Sequence, residues 1–104
     1  MSVARAVEAL LIMATDPVPA ADLAAQLGVP EHEVVAELEQ LAWFYRETER
    51  GFELRRVAGG WRLATAPDLA EVLEAAVVAE TRARLSQAAL ETLAVIAYLQ
   101  PVTL

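Results

Sequence analysis

The sequence predicts a mainly α-helical fold that carries one small β-hairpin. Three observations point there. Apolar residues recur at helical spacing in three successive N-terminal segments, two short alternating segments flank the turn Ala58, Gly59, Gly60, and helical spacing then resumes.

Residues 3–15 place Val3, Val7, Leu10, Leu11 and Ala14 on one stripe and Arg5 and Glu8 on the other side, the pattern of a first amphipathic helix. Pro17 and Pro19 end it, because each disfavours helix at the residue before it, and they leave Val18 at most a short extended contact. The second helix, from Ala20 to Leu27, stops at Gly28, a residue suited to the left-handed backbone that follows a helix. A third helix is expected from about Pro30 to about Arg46. Pro30 suits its start, Glu31 and Glu33 favour its positive end, and Val34, Leu38, Leu41 and Tyr45 form its core stripe.

The two alternating segments, Phe52 to Val57 and Trp61 to Thr65, read as a hairpin in which Phe52, Leu54 and Arg56 share one face, as do Trp61, Leu63 and Thr65. Helical spacing from Ala66 to Leu85 points Leu69, Val72, Leu73 and Ala76 toward a core and sets Arg82 and Arg84 near the negative end. Ser86 is a candidate N-cap for one more helix, and the residues after it are too apolar for a solvent-facing tail. The order helix, helix, turn, helix, hairpin, helix is that of a winged helix-turn-helix. That pattern is complete by about residue 80, so residues 1–84 are expected to form one winged-helix domain. Residues 85–104 are expected to be the orphan first helix of a truncated second one.

Composition narrows the function. With 57% hydrophobic residues in 104, the chain has ample material for a core. It has no cysteine, which excludes disulfides, thiolate zinc sites and cysteine nucleophiles, and it has no apolar run of the roughly 18 residues that a membrane span needs. A cytoplasmic location is expected. The net charge of -7 opposes nucleic acid, whose non-specific binding draws on Lys and Arg, and the eight basic residues are all Arg.

Three stretches carry a family resemblance: EALLIMATDPV (8–18), YRETERGFELRRVAGGWRLATAPDLA (45–70) and, most specifically, RLSQAALETLAVIAYLQPVT (84–103). Together they resemble segregation and condensation protein B over essentially the whole chain. The resemblance implies tandem winged helices acting without catalysis as an accessory subunit of the bacterial SMC–kleisin, or condensin-like, complex in chromosome condensation and segregation. It implies a homodimer whose partners are the kleisin, segregation and condensation protein A, and through it SMC. It associates the N-terminal domain with homodimerisation and the C-terminal domain with kleisin binding, and it brings no cofactor. Two departures stand out: Trp43 and Phe44 occupy positions usually polar in the family, and Leu104 stands where a polar or basic residue is expected.

The candidate sites are therefore protein interfaces. Trp43 lies nearly opposite the core stripe of its helix, where a large aromatic is either a snorkelling surface residue or an interface anchor, and the enrichment of Trp at interface hot spots favours the anchor. Phe44 beside it and Ile12, off the stripe of the first helix, join it as candidates. Leu90, Leu93 and Ile96 belong to the apolar surface of the last helix, which is expected to pack on the first domain or on another copy. Arg55, Arg56 and Arg62 form a small basic cluster on the wing, a weak candidate for nucleic-acid contact that more readily pairs with Glu53 or with the acidic third helix. The alternative function is a DNA-binding winged-helix transcriptional regulator. Against it, the helix that would enter the major groove carries Glu31, Glu33, Glu37, Glu39 and Glu47 with Arg46 as its one cation. His32 reads as a surface residue. No nucleophile triad, phosphate loop or metal-ligand spacing gives an enzyme reading any chemistry, and neither a cofactor nor a metal is expected.

Overall fold

The computed structural model describes the backbone of residues 2–103 and the side chains of residues 2–92. Its elements are α1 (Val3–Met13), α2 (Ala20–Leu27), α3 (Glu31–Glu47), β1 (Phe52–Val57), β2 (Gly60–Thr65), a 3-10 turn (Pro67–Leu69) and α4 (Ala70–Thr103). This is a winged helix: three helices with a two-stranded antiparallel wing. The chain divides into two compact units, Met1–Pro67 and Asp68–Leu104.

The core of the first unit gathers one stripe from each helix with the inner face of the wing. Val7 and Leu11 of α1, Leu23 and Ala24 of α2, Val34, Leu38 and Tyr45 of α3, Leu54 of β1 and Trp61 of β2 are all buried. Each large apolar side chain so placed contributes about 1.5–3 kcal/mol of transfer free energy. Ala14, expected on the α1 stripe, is exposed instead. It is the C-cap of α1 and has already turned extended, at φ -75° and ψ 137°.

Local chemistry caps the helices of the first unit. The Ser2 side chain caps α1 by accepting from the Arg5 N–H. Gly28 ends α2 at φ 67°, and the Val29 N–H reaches back to Ala24 O at 3.2 Å. α3 finishes in a Schellman motif, in which the Glu49 N–H donates to Arg46 O and the Arg50 N–H to Tyr45 O, at 3.2 and 3.1 Å. That motif puts Glu49 at φ 50°, a conformation costly for any residue with a Cβ.

The wing is a tight hairpin. Val57 pairs with Gly60 across a two-residue loop, Ala58 and Gly59, both at positive φ (49° and 77°), as in a type I′ turn. Cross-strand partners share a face, so Phe52 with Thr65, Leu54 with Leu63 and Arg56 with Trp61 all look the same way. A third strand is present only as one bridge: Val18 N–H donates to Trp61 O at 2.9 Å and Trp61 N–H to Val18 O at 2.8 Å. The two prolines around Val18 hold it extended for this contact. Gly60 permits it, because a Cβ there would lie 2.9 Å from both the Pro17 carbonyl carbon and the Val18 nitrogen.

The second unit departs from expectation. Ser86 does not start a helix, because α4 runs unbroken from Ala70 to Thr103. Residues 80–90 contain neither Gly nor Pro, so nothing in the backbone stops propagation there. Val72 and Ala76, expected to face a core, are exposed, whereas Leu69 and Leu73 are half-buried. Apolar residues are spread around α4, and no single stripe collects them.

Two substitutions test the wing. Ala58→Asn suits the left-handed turn position and is expected to raise stability by about 0.5–1 kcal/mol. Gly60→Ala forces backbone atoms apart and is expected to lower it by about 1–3 kcal/mol. Urea denaturation midpoints measure both, and a neutral Gly60→Ala would show that the close approach to Pro17 yields without cost.

Candidate protein interface

Within the first unit, α1, the end of α3 and the wing border an apolar groove of about 290 Å³. Its lining is Glu8 and Ile12 from α1, Tyr45 from α3, Phe52 from β1, and Leu63, Ala64 and Thr65 from β2. Each residue arrives by the periodicity of its element. Glu8 and Ile12 are one helical turn apart, Tyr45 ends the buried row of α3, and Phe52 and Thr65 are a cross-strand pair.

At the groove the Tyr45 hydroxyl donates to Glu8 Oε2. The Tyr45 ring meets Phe52 edge-on, with centroids 4.8 Å apart and planes at 66°. Burial of Tyr45, then its hydrogen bond to Glu8 and the charge of that carboxylate, together push the phenol well above its ordinary range. The contact ties α1 to the far end of α3. Glu8 had been expected on the outer side of α1, with Arg5. A buried tyrosine needs a partner for its hydroxyl, and that requirement is the signal that would have pointed inward.

The residues singled out from sequence divide between places. Ile12 stands on the rim of the groove and is 74% exposed. Trp43 and Phe44 are exposed on the outer side of α3, at 54% and 44%. Phe44 meets Tyr45 at 6.3 Å and 63°, and the Arg50 guanidinium lies 5.7 Å from the Phe44 ring centroid. Thr48 braces that corner: its hydroxyl donates to Phe44 O at 2.6 Å and accepts from Arg50 Nε at 3.1 Å. Leu90, expected to be packed, is 62% exposed within this chain, while the side chains of Leu93 and Ile96 lie outside the described residues.

The expected basic cluster on the wing is split by strand alternation. Arg56 faces inward and lies 5.2 Å from the Trp61 ring centroid, a cation–π contact. Arg55 and Arg62 face outward as a directly opposed pair, and Arg55 is engaged by Glu53. On α3, Glu31, Glu33, Glu39 and Glu47 are exposed. Among the described residues no three His, Cys, Asp or Glu come together as a metal-binding group, and no helix is long and apolar enough to cross a membrane.

Comparison with known proteins agrees with the resemblance read from sequence. A family model described as segregation and condensation complex subunit ScpB matches residues 5–104. Segregation and condensation protein B of Moorella thermoacetica is 50% identical over 101 residues, covering 94% of this chain and 50% of the relative. That of Geobacillus thermodenitrificans is 47% identical over 98 residues, covering 93% and 47%. The chain thus spans about half the length of these curated relatives. Among solved structures, ScpB from Mycobacterium tuberculosis superposes with a TM-score of 0.76 at 39% identity, over 94% of this chain and 61% of that one. A dimer of the ScpB N-terminal domain complexed with ScpA peptide superposes with a TM-score of 0.65 at 38% identity, over 68% of this chain and 89% of that one.

The Tyr45 contact makes stability depend on pH in the alkaline range. The folded chain disfavours ionised Tyr45, so this contribution is complete below the ordinary phenol value of 10.0 and is lost as pH rises from there toward the higher folded value. Tyr45→Phe is expected to cost about 1–2 kcal/mol near neutrality and to flatten the loss between about pH 10 and about pH 12 in urea denaturation. A Tyr45→Phe chain with the same alkaline loss would place its origin elsewhere.

Proposed function

The chain belongs to the segregation and condensation complex subunit ScpB family, and on that premise we propose that it works as a non-catalytic accessory subunit of the SMC–kleisin complex. In this reading it acts in chromosome condensation and segregation in the cytoplasm, forms a homodimer, and binds the kleisin ScpA, through which it meets SMC. The observation that carries the kleisin contact is the groove between α1, α3 and the wing. Its apolar lining and its carboxylate, Glu8, on a chain of net charge -7, suit an amphipathic peptide with apolar anchors and a basic flank.

The resemblance had associated kleisin binding with the C-terminal domain. A related N-terminal domain complexed with ScpA peptide supports a contact within the N-terminal winged helix as well. Ile12 on the groove rim is the proposed peptide contact, and Trp43 and Phe44 on α3 are proposed as a second, adjoining contact surface. Direct DNA binding has little to support it, since α3 presents carboxylates and the wing arginines are divided between two faces.

Fluorescence anisotropy of a labelled ScpA peptide from the same organism tests this reading. The chain is expected to bind it, and Ile12→Glu to weaken binding about tenfold or more with an unchanged denaturation midpoint, because Ile12 is 74% exposed. Absence of binding would remove the kleisin contact from this domain. Binding indifferent to Ile12→Glu would move it off the groove, and retention of duplex DNA at low salt would favour a DNA-binding regulator.

A further inference from the structure

The α4 helix exposes Val72, Val77, Val78, Leu85 and Leu90, each between 44% and 66% accessible. Scattered exposed apolar residues are ordinary, but here one face combines small and apolar side chains with an ordered set of charges. Ala75, Val78, Arg82 and Leu85 follow one another at steps of three, four and three residues and so share one side of the helix, with Glu71 and Glu74 beside them. Glu71, Glu74, Ala75, Val78, Ala79 and Arg82 line a single shallow trough along the helix. The small side chains of Ala75 and Ala79 leave room for another backbone to come close.

The charges are arranged by sign about Val78: Glu74 lies four residues before it and Arg82 four residues after. A two-fold axis at Val78 with the helices antiparallel sets Glu74 of each copy against Arg82 of the other and brings Glu71 level with Leu85. Parallel pairing would oppose Glu74 to Glu74 and Arg82 to Arg82. Among the described residues neither Glu74 nor Arg82 is engaged in an intrachain ion pair, whereas Arg84 already reaches Glu80 at 3.6 Å. A patch complementary to itself is what a closed two-fold contact requires.

We propose that α4 is the surface on which a second copy of this chain docks, antiparallel, with Val78 at the two-fold axis and Glu74 pairing with Arg82 across it. The proposal rests on the homodimer reading above and gives it a surface.

Because the chain lacks cysteine, single introduced cysteines report the geometry cleanly. Under mild oxidation Val78→Cys is expected to give a disulfide-linked dimer. Leu85→Cys is expected not to, since seven residues from the axis on each copy leave the two sulfurs about 20 Å apart along the helices. Sedimentation should show Glu74→Arg and Arg82→Glu each weakening self-association about tenfold. An equimolar mixture of the two should restore it, because every cross-pair is then of opposite sign. Efficient linking of Leu85→Cys would overturn the antiparallel arrangement. A parent dimer that ignores both charge reversals and yields no Val78→Cys link would put the homodimer on another face. A parent chain that stays monomeric at every concentration would overturn the proposal and the homodimer reading together.

Discussion

A two-stranded hairpin is at best marginally stable in water, so the wing of this domain depends on what it is fastened to. The fastening is concentrated at Trp61. Its backbone makes both hydrogen bonds of the bridge to Val18, and its ring is buried in the helical core with the Arg56 guanidinium over it. The bridge requires two prolines to hold Val18 extended and a glycine at position 60 to let the Pro17 backbone approach. Once Trp61 is seated, register places Leu54 in the core and Phe52 against Tyr45, and the groove acquires its third wall.

The opposite wall depends on a polar contact. Tyr45 is buried among apolar residues yet finds a carboxylate for its hydroxyl, which fixes the end of α3 against the middle of α1. The groove is therefore bounded by one side-chain hydrogen bond and one backbone bridge, and both are set by residues distant in sequence. A surface held at two such points has little freedom left to lose, which would reduce the ordering cost of binding the peptide proposed above.

Much of this was legible in the chain, and the failures share a physical cause. Pro17, Val18 and Pro19 announced a short extended contact, Gly28 a helix end, and the alternation around Ala58 and Gly59 a hairpin, because each depends on local backbone preferences. Glu8 was misplaced because helical periodicity sorts polar from apolar residues and cannot see a hydroxyl arriving from thirty-seven positions away. The wing arginines were grouped because they are near in sequence, although the alternation that put Arg56 with Phe52 and Leu54 already separates it from Arg55 and Arg62. Ser86 looked like a cap because a capping residue and an ordinary helical serine differ only in the backbone of their surroundings. Ile12, Trp43 and Phe44 were found as large apolar residues off the core stripes, and all three are exposed. Sequence could not indicate that Ile12 borders a groove while Trp43 and Phe44 lie outside it.

The unbroken course of α4 carries a consequence for how such a protein tolerates change in length. A loop absorbs an added or lost residue by rearranging, but a helix of 34 residues, about 51 Å long, transmits it as rotation. Removing one residue from its middle turns everything beyond by about 100° and shortens the rod by about 1.5 Å. The helix thus acts as a phase standard. Changes of seven residues nearly preserve the angular setting of its far end, whereas changes of one or two turn it to another side.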